Sequence, residues 1–239
     1  MNAYTFTKLS LLLLTLLVIP SPNLYSQSVE FDATATYRGR NVHGWTVYMQ
    51  KRLLREKREA GARAYSIVTD QLSRLTRTIP AQQLKHLRQV PIWICDRSDG
   101  PIHYHPQREW LVKNGYNPDK AKAVDISQVN NIIRSEQTQP SVILHELAHA
   151  YHDQILGFDQ PDILKAFEIM EASGSYEKVL LYTGKTVKHY GLTNHKEYFA
   201  EGTEAYFYRN DFFPFVRAEL KLHDPTLHDV LLKIWGSAW

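Results

Sequence analysis

The segment from Leu144 to His152 constrains this chain more than any other, because it sets His-Glu-x-x-His inside an apolar run that suits a helix. Residues four positions apart lie on one face of an α-helix, one turn above the other. His145 and His149 can therefore direct two imidazoles at one point, with Glu146 beside them. Two histidine ligands and a glutamate acting as general base are typical of zinc hydrolases. The alternative is a surface helix whose two histidines share no ligand.

A catalytic zinc ion usually has three protein ligands and a water molecule. One class of zinc protease takes its third ligand from a histidine later in the same segment, after a glycine. That class is excluded here, because His152 and Ile155 occupy the positions of the glycine and the histidine. His152 itself lies too far along the helix to join the site. Glu197 is the better candidate, since two imidazoles and one carboxylate form an established hydrolase ligand set.

The segment around Glu197 is predicted to be a helix with Glu201 on the same face, four residues later. Glu201 would then accept the free ring N–H of His145 or His149, as carboxylates do beside metal-bound histidines. Glu204 is interpreted as an ordinary helix residue. Aromatic residues interleave these glutamates, which predicts burial, and buried carboxylates need a nearby cation. The alternative is an exposed acidic helix face.

Residues 190 to 201 read Tyr-Gly-Leu-Thr-Asn-His-Lys-Glu-Tyr-Phe-Ala-Glu. This stretch resembles the corresponding part of the catalytic domain of anthrax lethal factor and of the related secreted Pro-Pro endopeptidases. The likeness runs from Ala123 to Tyr208. Its most specific part is a tyrosine followed, after six residues, by Glu-x-x-x-Glu.

That resemblance implies a zincin-like metallopeptidase of the gluzincin type, with one Zn²⁺ per chain. It implies Glu146 as the general base and Tyr190 as a phenol beside the metal. Glu201 becomes the carboxylate that supports a ligand histidine. The zinc ligands that it implies are His145, His149 and Glu197.

The N-terminal 26 residues are predicted to be a signal peptide. Lys8 precedes an apolar run from Leu9 to Ile19, which Pro20 ends, and Ser26 lies at a suitable cleavage point. The run is short for a bilayer span. We therefore expect a secreted or extracytoplasmic protein with no stable membrane association after cleavage, and one domain over residues 27–239. The alternative is an uncleaved N-terminal anchor.

The composition is that of an ordinary globular protein, with 44% hydrophobic and 22% charged residues. A formal net charge of +3 is too small to imply a nucleic-acid partner. Cys95 is the one cysteine, which excludes an intramolecular disulfide, and its apolar surroundings predict an inert buried thiol. We expect a monomer that acts on a peptide or protein substrate.

The predicted fold class is α+β, with a small mixed sheet, an active-site helix and a mostly helical C-terminal half. Residues 34–49 are predicted to form a hairpin, and Lys51 to Thr78 a long helix with Gly61 as its point of interruption. The strand Ala123 to Ile126 is expected to pair with an extended substrate. His103 and His105 are interpreted as a polar rim of the site rather than as ligands.

Two other functions remain open. One is a catalytically weak zinc-containing module that binds a peptide or a surface partner. The other is a zinc amidase acting on non-protein amides such as cell-wall stems. Cleavage of a peptide library separates both from a peptidase.

Overall fold

The computed structural model describes residues 31–237. The predicted signal peptide lies outside the described residues. Within them the chain forms a mixed α+β structure, as the sequence predicts. The strands, in chain order, are β1 (Tyr37–Val42), β2 (Trp45–Gln50), β3 (Ile92–Ile94), β4 (Ile102–His105), β5 (Ala123–Ile126), β6 (Val179–Leu180) and β7 (Thr186–Val187).

The helices lie between and after these strands, and the C-terminal half is mostly helical. None of those described is long and apolar enough to cross a membrane. In chain order they are α1 (Lys51–Arg55), α2 (Arg58–Thr78), α3 (Ala81–Leu87), α4 (Arg108–Lys113), α5 (Val129–Thr138), α6 (Val142–Tyr151), α7 (Pro161–Ser173), α8 (His195–Phe207), α9 (Arg217–His223) and α10 (Pro225–Trp235).

The main sheet has the strand order β1-β2-β3-β5-β4. The predicted hairpin is confirmed as the antiparallel pair β1 and β2, although Thr34–Thr36 form a 3-10 helix ahead of β1 rather than part of its strand. Strands β2, β3 and β5 run parallel to one another, and β4 returns antiparallel to β5. The sheet is therefore mixed, and β4 forms the edge that lies farthest from the hairpin.

Helices cover one face of the sheet. The apolar side chains of the central strands, such as Val47, Ile92 and Val124, join one continuous core with α2 and α6. A smaller cluster lies on the opposite face, where Cys95 packs beside Trp93. Burial raises the pKa of the Cys95 thiol to about 12, so the group stays protonated near neutral pH.

The long N-terminal helix is interrupted earlier than expected. Helix α1 ends at Arg55 and α2 begins at Arg58, whereas Gly61 lies inside α2. A Cβ atom at Gly61 would lie 2.3 Å from the carbonyl oxygen of Leu53. The glycine therefore allows α1 to fold back against α2 rather than breaking the helix.

The helix that carries the histidine motif changes its winding at its C-terminal end. Residues His152–Leu156 form a π-helical turn directly after α6, and Gly157 ends it with φ of 78°.

Helix α5, which precedes α6, was missing from the sequence-based prediction. Its buried side chains, Val129, Ile132 and Ser135, follow a three-residue spacing that indicates a helix.

Candidate metal centre

Three predicted ligands converge on one point between α6 and α8. The Nε2 atoms of His145 and His149 lie 3.1 Å apart. One carboxylate oxygen of Glu197 lies 3.1 Å from the first and 3.2 Å from the second. The structure thus brings together two residues of one helix and a third residue 48 positions later.

The local structure of each helix fixes these positions. On α6, the four-residue spacing stacks the two imidazoles on one face. On α8, the side chain of Asn194 caps the N-terminus by accepting hydrogen bonds from the N–H groups of Lys196 and Glu197. Glu197 therefore lies in the first turn, where the helix dipole favours a negative charge.

The spacing of the three ligand atoms fits a tetrahedral zinc ion. Zinc binds imidazole nitrogen at about 2.0–2.1 Å, which separates two ligand atoms by about 3.3 Å at a tetrahedral angle. The observed separations of 3.1–3.2 Å lie within a few tenths of an ångström of this value. Two imidazole nitrogens and one carboxylate are also ligand types that zinc prefers.

Electrostatics around the three groups are dominated by the carboxylates. Burial acts to lower the pKa of His145, but hydrogen bonds to Glu197 and Glu204 outweigh it and raise that pKa well above its usual value. Burial likewise acts to raise the pKa of Glu197, and the two histidines outweigh it and lower that pKa. The carboxylates therefore favour the positively charged form of His145, and the histidines favour the ionised form of Glu197.

The carboxylate that supports His145 is Glu204, which corrects the assignment of this role to Glu201. The Nδ1 atom of His145 lies 2.8 Å from the Glu204 carboxylate and 3.6 Å from that of Glu201. The Glu204 carboxylate also accepts a hydrogen bond from the side-chain amide of Gln139. With Nδ1 donating to Glu204, loss of the Nε2 proton of His145 would leave a lone pair directed toward His149 and Glu197.

We expect Glu204→Gln to weaken zinc affinity about 10- to 100-fold, because this carboxylate orients the ring of His145 and raises its basicity. Chelator competition on the purified protein measures the change. Glu201→Gln is the matched control, since it removes a neighbouring buried carboxylate outside hydrogen-bonding distance of His145. A larger loss for Glu201→Gln than for Glu204→Gln would contradict this assignment.

The predicted base, Glu146, lies beside His145 and His149 in an open cavity of about 670 Å³. Its carboxylate is buried and accepts a hydrogen bond of 2.7 Å from the backbone N–H of Tyr104 on β4. Burial raises the pKa of Glu146, while the histidines and the Tyr104 N–H act in the opposite direction. The base is thereby held between helix α6 and the edge of the sheet.

Tyr190 lines the same cavity as Glu146 and Glu197. It begins a short 3-10 helix, Tyr190–Thr193, directly before α8. Tyr190 is 48% exposed, so its hydroxyl is accessible to a ligand in the cavity. Burial and the nearby Glu197 raise the pKa of the phenol, which therefore stays protonated at neutral pH and can donate a hydrogen bond.

The strand next to the site is β4, and this overturns the expectation that Ala123 to Ile126 pairs with a substrate. Strand β5 lies between β3 and β4, so neither of its edges is free. The carbonyl groups of Pro101 and His105, at the two ends of β4, accept hydrogen bonds from backbone N–H groups at the two ends of β5. Backbone groups alternate in direction along a strand, so those of Ile102 and Tyr104 face the cavity.

Three other histidines that the sequence placed near the motif, His103, His105 and His152, lie outside the cluster of three proposed ligands. His103 approaches Asp125 at 3.7 Å, and His105 stacks on Trp110 with ring centroids 4.0 Å apart. His152 is fully buried among aromatic rings, and burial lowers its pKa to about 3. Within the described residues, neither group of potential metal ligands includes any of the three.

A second group of carboxylates lines the floor of the cavity. Glu201 and Asp211 belong to the lining, and Glu204 lies beside them. Burial and the charge of Glu204 raise the pKa of Glu201 well above its usual value and that of Asp211 to about 7. Sequence analysis missed Asp211, which follows α8 and carries no motif.

Comparisons with known proteins give no independent assignment of these residues. No protein-family model, no curated protein and no solved structure matches this chain.

Proposed function

We propose that this protein is a zinc-dependent metallopeptidase of the gluzincin type. His145, His149 and Glu197 hold the metal, and Glu146 is the general base. The observation that carries the proposal is the triangle of ligand atoms, 3.1–3.2 Å on each side, that opens into the cavity beside Glu146. The resemblance of residues 123–208 to the lethal factor catalytic domain adds support from the sequence.

In this proposal a bound zinc ion supplies Lewis acidity and lowers the pKa of water to about 7. Glu146 accepts the proton of the attacking water and returns it to the leaving amine of the cleaved peptide. One oxygen of the Glu146 carboxylate accepts the hydrogen bond from the Tyr104 N–H, and this bond fixes the orientation of the second oxygen. The chain thus contributes a base with one defined orientation.

Tyr190 has a separate role in the proposed reaction, because its protonated phenol can donate a hydrogen bond to the oxyanion that develops on the substrate carbonyl. We expect Tyr190→Phe to lower kcat more than it raises KM, since this hydrogen bond strengthens in the transition state. Steady-state kinetics on one peptide substrate measures the two constants. A rise in KM with an unchanged kcat would assign Tyr190 to substrate binding instead.

The edge of β4 provides the backbone partners for the substrate. The backbone groups of Ile102 and the carbonyl group of Tyr104 face the cavity and can pair with an extended peptide, which would add a strand to the sheet, while the Tyr104 N–H stays bonded to Glu146. Such pairing fixes the scissile bond beside Glu146 without constraining every side chain. We therefore propose β4, in place of Ala123–Ile126, as the strand that binds the substrate backbone.

Metal analysis combined with digestion of a peptide library tests the proposed function. The expected result is about one zinc ion per chain and peptide cleavage that stops after chelation and returns when zinc is added. Bound zinc without cleavage would support the binding module, and cleavage of cell-wall fragments without peptides would support the amidase. Absence of stoichiometric zinc would overturn the proposal.

Export of the protein is a further part of the proposal and rests on the sequence of the first 26 residues. Such a protein has no intramolecular disulfide, and a zinc ion bound between α6 and α8 would add to the stability that its core provides. The N-terminal residue of the protein recovered from the culture medium tests the predicted cleavage after Ser26.

A further inference from the structure

The floor of the cavity carries two carboxyl groups, those of Glu201 and Asp211, that lie outside the triangle of proposed metal ligands. Glu201 is 1% exposed, and both of its carboxylate oxygens lack a hydrogen-bond partner among the described residues. One carboxylate oxygen of Asp211 is also buried and unpartnered. A buried carboxylate without a partner is costly, so this floor is suited to receive a cation.

A second metal ion is a poor occupant for this place. Its nearest set of ligands would be His145, Glu201 and Glu204. The Nδ1 atom of His145 already contacts Glu204 at 2.8 Å, while its Nε2 atom faces His149 and Glu197. One imidazole would have to bind two metal ions at once and lose both ring protons. An organic cation needs only the carboxylates.

The walls above the floor suit the stem of a long basic side chain. Val142 and Phe212 provide apolar surface, and Thr138 and Gln139 add polar groups beside them. Lysine and arginine pack their methylene groups on such surfaces while the charged end reaches a carboxylate. Arg134 also lines the cavity, but it is exposed and donates a hydrogen bond to Asn131, so its charge lies at the solvent-facing mouth.

The direction of the substrate places this floor next to the scissile bond. A strand that adds antiparallel to β4 has its C-terminal half over the N-terminal end of β4, and antiparallel pairs are the commoner kind. Pro101 and Ile102, at that end of β4, line the same cavity as Glu201 and Asp211. The cavity therefore receives the residue on the C-terminal side of the cleaved bond.

Resting on the proposed peptidase function, we propose that Glu201 and Asp211 form an acidic pocket for a lysine or arginine side chain. The residue bound is the one that directly follows the scissile bond. Specificity for a basic residue at that position then comes from the two carboxyl groups, whose ionised form a bound cation favours. The apolar walls select side chains by their length.

Two matched peptides test this proposal. They carry either arginine or citrulline after the cleaved bond, so they differ in charge and hardly in shape. We expect the wild-type protein to cleave the arginine peptide with kcat/KM about 10- to 100-fold higher, the range for hydrogen bonds to charged groups. Asp211→Asn is expected to reduce this ratio several-fold. Asp229→Asn, which changes an exposed carboxylate on α10, should leave the ratio unaltered.

A binding measurement separates the pocket from the chemistry. In zinc-loaded Glu146→Gln protein, fluorescence anisotropy should give tighter binding of the arginine peptide than of the citrulline peptide, with a smaller difference after Asp211→Asn. Equal cleavage and equal binding of the two peptides would overturn the acidic pocket while the peptidase function stands. Two zinc ions per chain would also overturn it, whereas failure to cleave any peptide would refute the peptidase function.

Discussion

Glu146→Gln is expected to lower kcat/KM on a peptide substrate about 100- to 10,000-fold, the usual contribution of a general acid–base group. Glutamine has the shape of glutamate and can still accept the Tyr104 N–H, so the fold around the site should persist. It cannot accept a proton from water at neutral pH. Zinc content should remain unchanged, because Glu146 is outside the triangle of ligand atoms.

The variant needs a matched control and two readouts. Glu168→Gln changes an exposed glutamate on α7 and should leave both activity and zinc content as in the wild type. Activity is measured with a peptide found in the library, and zinc by metal analysis of the same sample. Retention of more than a tenth of the activity by Glu146→Gln would remove this residue from the role of base.

Glu197→Gln is expected to have the second large effect, on metal binding. This carboxylate lies between the two imidazoles and is the one anion of the triangle. An amide oxygen is a weaker zinc ligand than a carboxylate and brings no charge. We expect zinc affinity to fall by more than about 100-fold, beyond the loss caused by removal of an outer hydrogen-bond partner.

Thermal unfolding provides an independent measure of the same change. A ligand that binds only the folded state raises the unfolding temperature, and at a given ligand concentration the rise is larger the tighter the binding. Zinc should therefore raise Tm for the wild type and for Glu168→Gln, and much less for Glu197→Gln at the same concentration. Equal shifts in all three proteins would exclude Glu197 as a ligand.

Local patterns in the sequence predicted the parts of the site that lie on a single helix. The spacing of His145 and His149 follows from helical periodicity alone, and so does the common face of Glu197 and Glu201. The pairing of these two helices was inferred from chemistry, because a site with two histidines requires a further ligand. The structure brings these groups together.

Local sequence patterns could not show whether Glu201 or Glu204 contacts His145. Positions four and seven after Glu197 both lie on the same face of α8. Which of them contacts His145 depends on how α6 and α8 cross. It also depends on Gln139, which directly follows α5 and donates a hydrogen bond to Glu204. Those contacts join residues 59 and 65 positions apart, and no periodicity encodes them.

Strand order was the other long-range property that the sequence left open. Strand β5 follows β4 in the chain, yet in the sheet it lies between β3 and β4. The strand Ala123–Ile126 is typical of an interior position, since all four of its residues, Asp125 included, are buried. The expectation that it forms an edge was wrong for that reason.

The Asn194 cap places Glu197, the proposed third ligand, in a part of α8 that opens easily. Terminal turns open more readily than the middle of a helix, and Glu197 lies in such a turn, where its own N–H depends on the Asn194 side chain. An ion held by that carboxylate would hold the turn closed. Hydrogen exchange at the amides of Lys196 and Glu197 should therefore slow as the metal binds, and its rate would report how often the ion leaves.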